Sequence, residues 1–312
     1  MATVVGKVET QHENMIHDAQ MDIYGHRLAT CSSDRSVRIF EVDKNQHRLI
    51  ATLIGHDGPV WQISWMHPMY GNALASCSYD KKVILWKESD RGQWAKFYTH
   101  EVHASSVNSI QWAPPDTGLY LACGSSDGTI SILQGSGDDK FSFLMIQNAH
   151  TTGVNAVSWA PSHPSGTTLD PSTKDYDVIS KRFASGGGDN LVKVWKFSDE
   201  KNAWEMEAEL KGHNNWVRDV AWAPDTGFTT STIASCCQDG KVFIWQCKDL
   251  DKANWDIKRT MHTFDDVVWH LSWSVMGDIL AVSGGDNKIT LWKESHKGAW
   301  ICISKQDTNK TN

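Results

Sequence analysis

Histidine and aspartate recur together along this chain, and a histidine held by a carboxylate can activate a nucleophile as a catalytic dyad. His56 precedes Asp80 by 24 residues, and His103 precedes Asp127 by the same 24. The full set of repeated histidines is His12, His56, His103, His150 and His213. Five copies in one chain favour a structural role, because an imidazole bonded to a carboxylate satisfies two buried polar groups at once. We predict one such hydrogen bond per repeat, holding the turn that the aspartate begins, with Phe264 replacing the histidine in the sixth repeat.

Other motifs that could carry chemistry are absent or weak. The sequence contains no G-x-S-x-G, no P-loop and no H-E-x-x-H. The glycine-rich runs SGGGDN (185–190) and SGGDN (283–287) lie at the repeated turns, where glycine serves turn geometry rather than a phosphate. None of the seven cysteines has zinc-site spacing, and three of them stand three residues before a repeat aspartate as small buried residues. The sequence therefore predicts no enzyme, no cofactor and no metal.

The elements that carry these pairs repeat six times. The aspartates are Asp34, Asp80, Asp127, Asp189, Asp239 and Asp286, at steps of 46, 47, 62, 50 and 47 residues. Six residues after each aspartate come Phe40, Trp86, Leu133, Trp195, Trp245 and Trp292. A period in the forties that ends in tryptophan is typical of a WD-repeat β-propeller. We predict an all-β, six-bladed propeller forming a single domain over 1–305, with blades at about 12–55, 56–102, 103–149, 150–212, 213–263 and 264–305.

Each repeat contains four short strand patterns. In the second repeat these are PVWQISW (59–65), ALASCSYD (73–80), KVILW (82–86) and QWAKFY (93–98). Most of the 16 tryptophans occupy matching places in such strands, which predicts filler between sheets; an aromatic ligand box is the alternative. Trp61, Trp216 and Trp269 stand early on the first strand, apart from the main positions.

Composition limits the class of protein. The 312 residues are 40% apolar and 21% charged, with a net charge of −7, which disfavours a nucleic-acid-binding body. The cysteine usage predicts a reducing, cytosolic compartment, and no apolar run is long enough for a membrane span or a signal peptide. The segment 161–181 is predicted to be a surface loop, with a contact site as the alternative, and the tail 306–312 is predicted to be disordered.

The strand count leaves one segment over. The N-terminal residues 4–10 match the outer strand that precedes each repeat histidine, yet no blade stands before them, and AWICISK (299–305) already supplies an outer strand for the sixth repeat. An unpaired strand is a template for another chain. One interpretation is a partial seventh blade completed by a partner through Val4, Val5, Lys7, Val8, Trp300 and Cys302. The other is a closed six-bladed ring with a frayed N-terminus.

Several stretches beyond the repeat motif resemble one particular family. They are MIHDAQMD (15–22), LATCSSDRSVRIF (28–40), GPVWQISWMHPMYGNALASCSYD (58–80), SSVNSIQWAP (105–114), LACGSSDGTIS (121–131), WVRDVAWAP (216–224), STIASCCQDG (231–240), DVVWHLSWS (266–274) and ILAVSGGDNKITLWKES (279–295). The chain resembles the Sec-thirteen family over about residues 10–303, and departs from it at 134–143, in the fourth-repeat insertion and in the tail.

That resemblance implies an open propeller that a larger solenoid protein closes by inserting a three-stranded blade. It implies a scaffold in the COPII coat of ER-to-Golgi vesicles, with a Sec-thirty-one-like partner, and in the nuclear pore outer ring, with a solenoid nucleoporin. A third expected setting is a lysosomal or vacuolar complex that regulates TOR signalling. Membrane association is then indirect, and neither nucleic acid nor a small molecule is bound. The alternative function is a closed WD-repeat adaptor that binds short peptides on one ring face.

Overall fold

The computed structural model describes residues 6–43, 46–137, 139–162, 181–224, 230–248, 250 and 253–307. These residues form 24 β-strands and two short 3-10 helices, Pro68–Tyr70 and Pro115–Thr117. The strands make six antiparallel sheets of four consecutive strands each, and we call each sheet a blade. The chain divides into two compact units, residues 3–149 and residues 150–312, which are described separately.

The first unit contains blades 1 to 3. Blade 1 comprises β1 (Ile16–Met21), β2 (Arg27–Ser32), β3 (Ser36–Asp43) and β4 (Gln46–Ile54). Blade 2 comprises β5 (Val60–Trp65), β6 (Ala73–Ser78), β7 (Val83–Asp90) and β8 (Gln93–His100). Blade 3 comprises β9 (Val107–Trp112), β10 (Tyr120–Ser125), β11 (Ile130–Gly135) and β12 (Phe141–Ile146).

The second unit contains blades 4 to 6. Blade 4 comprises β13 (Val154–Trp159), β14 (Arg182–Gly187), β15 (Leu191–Ser198) and β16 (Ala203–Lys211). Blade 5 comprises β17 (Val217–Trp222), β18 (Ser231–Cys237), β19 (Lys241–Cys247) and β20 (Trp255–Thr263). Blade 6 comprises β21 (Val268–Trp273), β22 (Ile279–Gly284), β23 (Lys288–Glu294) and β24 (Trp300–Asp307).

Alternation along the strands builds the core between neighbouring blades. In blade 2, Val83 and Leu85 point to one face and pack with Ile110 of blade 3. Ile84 and Trp86 point to the other face and pack with blade 1. Because successive strand residues face opposite ways, one blade contributes apolar side chains to two cores. Blades 4 and 5 share one such core, and blades 5 and 6 share another.

The turn that joins the second and third strands has the same backbone in every blade. The residue after the repeat aspartate has a positive φ in all six, at Arg35, Lys81, Gly128, Asn190, Gly240 and Asn287. Four of these are glycine or asparagine, the residues that adopt the left-handed region most easily. The repeat aspartate therefore marks a real and uniform turn.

The prediction of an all-β protein with six blades is confirmed. AWICISK is indeed the outer strand of blade 6, but β24 continues through Gln306 and Asp307, which pair with Ile289 and Lys288. The predicted tail is therefore wrong for its first two residues, because strand pairing outweighs their polarity. Residues 308–312 and most of the 161–181 insertion lie outside the described residues.

The predicted N-terminal strand is not formed in its described part, residues 6–10. Val4 and Val5 lie outside the described residues, and residues 6–10 join no sheet in the part of the chain that the structure describes. The physical reason is that a β-strand is stabilised by its ladder of hydrogen bonds, and none of the described strands pairs with residues 6–10.

Candidate functional site

The predicted histidine–aspartate pair is complete in blade 2. His56 Nδ1 donates to Asp80 Oδ2 at 2.9 Å, and its Nε2 accepts from Ser76 Oγ at 2.8 Å. The indole of Trp86 donates to the same Ser76 Oγ at 2.8 Å. Burial acts to raise the pKa of Asp80, but the hydrogen bond from His56 and those from the backbone amides of Asp57 and Lys82 outweigh it and hold that pKa below its usual range. The four side chains tie the segment before β5 and the turn after β6 to the strands β6 and β7.

Blade 4 repeats this arrangement, whereas blades 1 and 3 vary it. His150 Nδ1 lies 2.7 Å from Asp189 Oδ1, and Trp195 donates to Ser185 at 2.8 Å. In blade 1, His12 contacts Asp34 at 2.7 Å, and Thr30 takes the place of the serine. In blade 3, the separation between His103 Nδ1 and Asp127 Oδ2 lengthens to 3.4 Å. All of these imidazoles are shielded from solvent, so they brace turns and have no access to a substrate.

The prediction is wrong for blade 5. His213 Nε2 contacts Ser235 at 2.7 Å, but its Nδ1 has no hydrogen-bond partner, and burial lowers the pKa of His213 to about 4. The thiol of Cys237 and the backbone of Lys241 donate to Asp239 instead. Blades 1 to 3 have serine at the Cys237 position, so this cysteine is the sequence signal that could have revealed the difference.

Blade 6 lacks the pair altogether. Phe264 replaces the histidine and packs against Trp292, with ring centroids 5.8 Å apart. Trp292 donates to Thr290 Oγ1 at 2.8 Å, and Asp286 forms an ion pair with Lys288 at 3.4 Å. Among the described residues, no group of His, Cys, Asp or Glu is arranged to hold a metal ion. The repeated polar residues therefore explain how the blades hold together, and the functional surface lies elsewhere.

Burial at equivalent positions separates blade 6 from the other five blades. The residue three places after the repeat aspartate is fully buried in blades 1 to 5, at Val37, Val83, Ile130, Val192 and Val242. In blade 6 that residue is Ile289, and 43% of it is exposed. Ala281 and Leu291 are likewise half-buried, whereas their counterparts in the other blades are buried. An apolar residue left open at a core position indicates a missing neighbour.

These residues form one continuous patch on blade 6. Ala281 pairs with Leu291 across the sheet, Ile289 lies two residues before Leu291, and Lys293 pairs with Ile301. Ile301 is half exposed. We call Ala281, Ile289, Leu291 and Ile301 the trailing face of blade 6.

The inner strand of blade 1 ends in an exposed apolar residue at a position where other blades have a tryptophan. In blades 2, 3 and 6 the last residue of the inner strand is a tryptophan, and its indole donates to a carbonyl of the preceding blade at 3.0 to 3.1 Å. In blade 1 this residue is Met21, which is 45% exposed. Across the sheet Met21 pairs with the half-buried Leu28, and on the outer strand Leu49 is exposed, whereas Phe40 between them is fully buried. We call Met21, Leu28 and Leu49 the leading face of blade 1.

The N-terminal segment runs beside this face. Arg38 of blade 1 donates to the carbonyl of Thr10 at 2.9 Å, and the backbone of Glu9 contacts the His47 ring at 3.3 Å. Lys7 forms an exposed ion pair with Glu9, and Val8 is half-buried. The segment is thus attached to blade 1 without being part of its sheet.

The other predicted partner-binding residues fall in two different environments. The half-buried Trp300 packs on Trp273, with ring centroids 5.9 Å apart, in the core between blades 5 and 6. The structure therefore assigns Trp300 to packing rather than to the open face, because its strand places it on the blade 5 side. Cys302 is exposed, and it is the sole exposed cysteine of the seven. Sequence reasoning missed Met21, Ile289 and Leu291, which look like ordinary core residues.

The fold and its repeats define a class of protein. A family model for the WD domain, G-beta repeat, matches six segments, at residues 5–41, 47–87, 94–133, 141–196, 204–246 and 256–293. Each of the second to sixth segments begins in the outer strand of one sheet. Each ends in the third strand of the following sheet. The first segment begins at residue 5, and the described residues 6–10 within it join no sheet. The chain is a WD-repeat β-propeller protein.

Curated relatives narrow the class to one family. The chain is 59% identical over 310 residues to the protein SEC13 homolog of Homo sapiens, covering 99% of this chain and 95% of the relative. It is 48% identical over 305 residues to the Drosophila melanogaster homolog, covering 97% and 84%. It is 57% identical over 293 residues to the protein transport protein SEC13 of Chaetomium thermophilum, covering 94% of each. The chain belongs to the SEC13 family. Within the described residues there is no helix that could cross a membrane.

Proposed function

We propose that this chain is a scaffold subunit of a vesicle coat of the COPII type, acting in protein transport from the ER to the Golgi. The observation that carries the proposal is the trailing face of blade 6, where Ile289 is 43% exposed at a position that is buried in every other blade. A relative named as a protein transport protein supports the cellular process. The proposed occupant of the open face is a blade donated by a solenoid partner of the Sec-thirty-one type.

Strand addition explains how such a blade would bind. Residues 6–10 stand where an outer strand precedes a repeat, and the first family segment begins there without a sheet of its own. A three-stranded insertion would pair with this segment and gain backbone hydrogen bonds along it. One face of the insertion would cover the trailing face of blade 6. An insertion of this kind exceeds the standard interface of roughly 1,600 Å² and falls in the range of obligate contacts.

The same interaction serves any scaffold that needs a stiff joint. A propeller closed by its partner is a rigid body, and it would stiffen the solenoid at the point of insertion. We therefore extend the proposal to the outer ring of the nuclear pore, with a solenoid nucleoporin as partner, and to the lysosomal or vacuolar complex that regulates TOR signalling. The proposed locations are the cytoplasmic face of the ER and its vesicles, the nuclear envelope, and the lysosomal or vacuolar membrane, each reached through the partner.

Affinity purification of the tagged chain from cytosol, with mass spectrometry and measured stoichiometry, tests the proposal. We expect to recover a large solenoid protein at near one-to-one stoichiometry. Its binding should survive a wash with high salt, because salt screens interactions between charges and not contacts between apolar faces. Recovery of substoichiometric, salt-sensitive clients would contradict blade donation. It would instead favour the closed, peptide-binding adaptor.

Deletion of residues 1–10 tests the strand itself. We expect affinity for the recovered solenoid partner to fall by at least tenfold, because the inserted blade loses its fourth strand and several backbone hydrogen bonds, each worth about 1 kcal/mol. Deletion of residues 308–312 is the control of similar kind at the other terminus. Equal affinity for the full chain and the N-terminal deletion in titration calorimetry would rule out the strand-addition mechanism.

A further inference from the structure

Two exposed tryptophans enclose an arginine at one end of blades 5 and 6. The guanidinium carbon of Arg218 lies 5.1 Å from the ring of Trp216 and 4.8 Å from the ring of Trp269. Trp216 is 51% exposed and Trp269 is 50% exposed. Neither indole belongs to the tryptophan positions that fill the space between sheets. We call these three residues the Trp–Arg cluster.

A β-bulge places the central residues of the cluster. In every inner strand the pairing register shifts by one residue, and the bulge residues at this shift are His17, Trp61, Asn108, Asn155, Arg218 and Trp269. Arg218 and Trp269 are therefore equivalent residues of adjacent blades, each turned out of its ladder by the bulge. The backbone N–H of Gln238 donates to the carbonyl of Trp216 at 2.9 Å. This hydrogen bond holds the backbone of Trp216, the third residue of the cluster.

The charge of Arg218 is only partly satisfied. Its Nε donates to Gln238 Oε1 at 2.6 Å, and Gln238 is neutral. No carboxylate forms an ion pair with Arg218 among the residues that the structure describes. The nearest acid in sequence, Asp219, is engaged by the backbone of Leu271 at 2.7 Å and by His270 at 2.8 Å. Among the described residues the Nη groups of Arg218 thus have no hydrogen-bond partner, and the guanidinium carbon lies near both indole rings.

That combination fits one kind of ligand. A planar guanidinium with free donors recognises a carboxylate through two parallel hydrogen bonds. The outer surfaces of two half-exposed indoles suit an apolar or proline side chain next to that carboxylate. The exposed Asp265 and Asp266 precede Trp269, and the chain carries a net charge of −7, so a long acidic run would be repelled. A single acidic residue within an apolar segment is the complementary partner.

We propose that the Trp–Arg cluster is a docking site for a peptide segment of a partner protein in which one glutamate or aspartate adjoins apolar or proline residues. The site lies at the end of the inner strands of blades 5 and 6. It is separate from the trailing face, since it uses none of the same side chains. The inference therefore goes beyond the proposed function and does not depend on it.

Selection from a phage-displayed library of random 12-residue peptides, with the full chain as target, tests the proposal. We expect the enriched peptides to share an acidic residue beside an apolar residue or proline. A labelled synthetic copy of the most enriched peptide is then titrated by fluorescence polarisation. Affinity should fall about tenfold or more for Arg218→Gln and for Trp269→Leu, since a charge-assisted pair or an aromatic surface is lost. Arg218→Lys should also bind weakly, because an ammonium group cannot form the two parallel bonds.

Matched variants separate docking from general effects. Arg48→Gln removes an exposed arginine of blade 1, and Trp61→Leu alters the equivalent bulge residue of blade 2; both should bind the peptide like the unmodified chain. A glutamine in place of the acidic residue of the peptide should reduce binding as Arg218→Gln does. Enriched peptides without an acid, or equal affinity for Arg218→Gln in a variant that melts normally, would overturn the proposal. So would binding of a phosphoserine peptide with none of its glutamate counterpart.

Discussion

Blades 2 and 6 have nearly the same pattern of apolar residues, yet only one of them is covered on both faces. Val83, Leu85 and Ala75 of blade 2 are fully buried, whereas their counterparts Ile289, Leu291 and Ala281 in blade 6 are partly exposed. Equal residue types at equal positions therefore meet different environments. The difference shows that the burial of an apolar repeat position depends on what lies beside the blade and does not follow from the residue type alone.

The largest expected difference between the two blades is in their tolerance of a charge. Val83→Asp places an unpaired carboxylate in a sealed core and should cost more than about 4 kcal/mol, enough to prevent folding. Ile289→Asp should cost about 1 kcal/mol of unfolding free energy, because solvent reaches the side chain. The same change should abolish binding of the proposed solenoid partner. Urea unfolding of both variants checks this. Comparable losses of stability would mean that the trailing face is covered within the chain itself.

The repeat histidines allow a second comparison between blades, with a smaller expected effect on stability. His56→Phe should cost about 2 kcal/mol, since Asp80 loses a donor and Ser76 loses an acceptor. His213→Phe should cost under about 1 kcal/mol, because only the contact with Ser235 is lost and the unpartnered Nδ1 is removed. Phe264 already shows that blade 6 folds with the substituted residue. Thermal unfolding of the two variants gives the ranking, and the reverse order would refute it.

Low pH should destabilise blade 2 through His100, since blade 6 has a glutamine at the equivalent position. Val83 pairs with His100, whereas Ile289 pairs with Gln306. Burial, with a smaller contribution from His103, lowers the pKa of His100 to about 4. The folded state thus favours the neutral ring, so its stability is full above pH 6.5 and falls as the pH drops toward 4, by up to about 1.4 kcal/mol per pH unit. His100→Gln should flatten this dependence in urea titrations, and an unchanged slope would count against it.

Thiol labelling offers the mildest comparison. Burial raises the pKa of Cys77 in blade 2 well above its ordinary value, whereas Cys302 in blade 6 is exposed. In the native chain an iodoacetamide reagent should modify Cys302 alone among the seven cysteines. Addition of the proposed solenoid partner should slow the modification of Cys302. Mass spectrometry of tryptic peptides measures the labelling of each cysteine with and without the partner. Rapid native labelling of Cys77 would show that the blade 2 core opens.

The sequence predicts the six blades well because each sheet is built from consecutive residues with a fixed period. The turn aspartates, the inner tryptophans and the strand alternation are all local signals. These features need no knowledge of which blades are neighbours. The prediction for the glycine-rich runs is wrong in part, because Gly186, Gly187 and Gly284 lie in β14 and β22 and not in the turns. A Cβ at Gly186 would meet Val217 of the next blade, so close packing accounts for this glycine.

The open faces could not be predicted in the same way. Ile289 and Met21 are apolar residues in regular strands, and only the three-dimensional arrangement shows that they are uncovered. His213 failed to follow the repeat because a single cysteine, Cys237, donates to the aspartate in its place. Residues 6–10 join no sheet among the described residues, so a strand over 4–10 stays a prediction.

The offset between family repeats and sheets has a consequence for synthesis. Because the second to sixth matched segments span parts of two sheets, a blade receives its fourth strand only when the following repeat leaves the ribosome. Each new repeat therefore completes the sheet before it and starts the next, and β24 completes the last one. The N-terminal segment is made first, yet it is the part whose own sheet must come from a different polypeptide if the proposed assembly is correct. Its folding is then the last event, and it takes place at assembly rather than at translation.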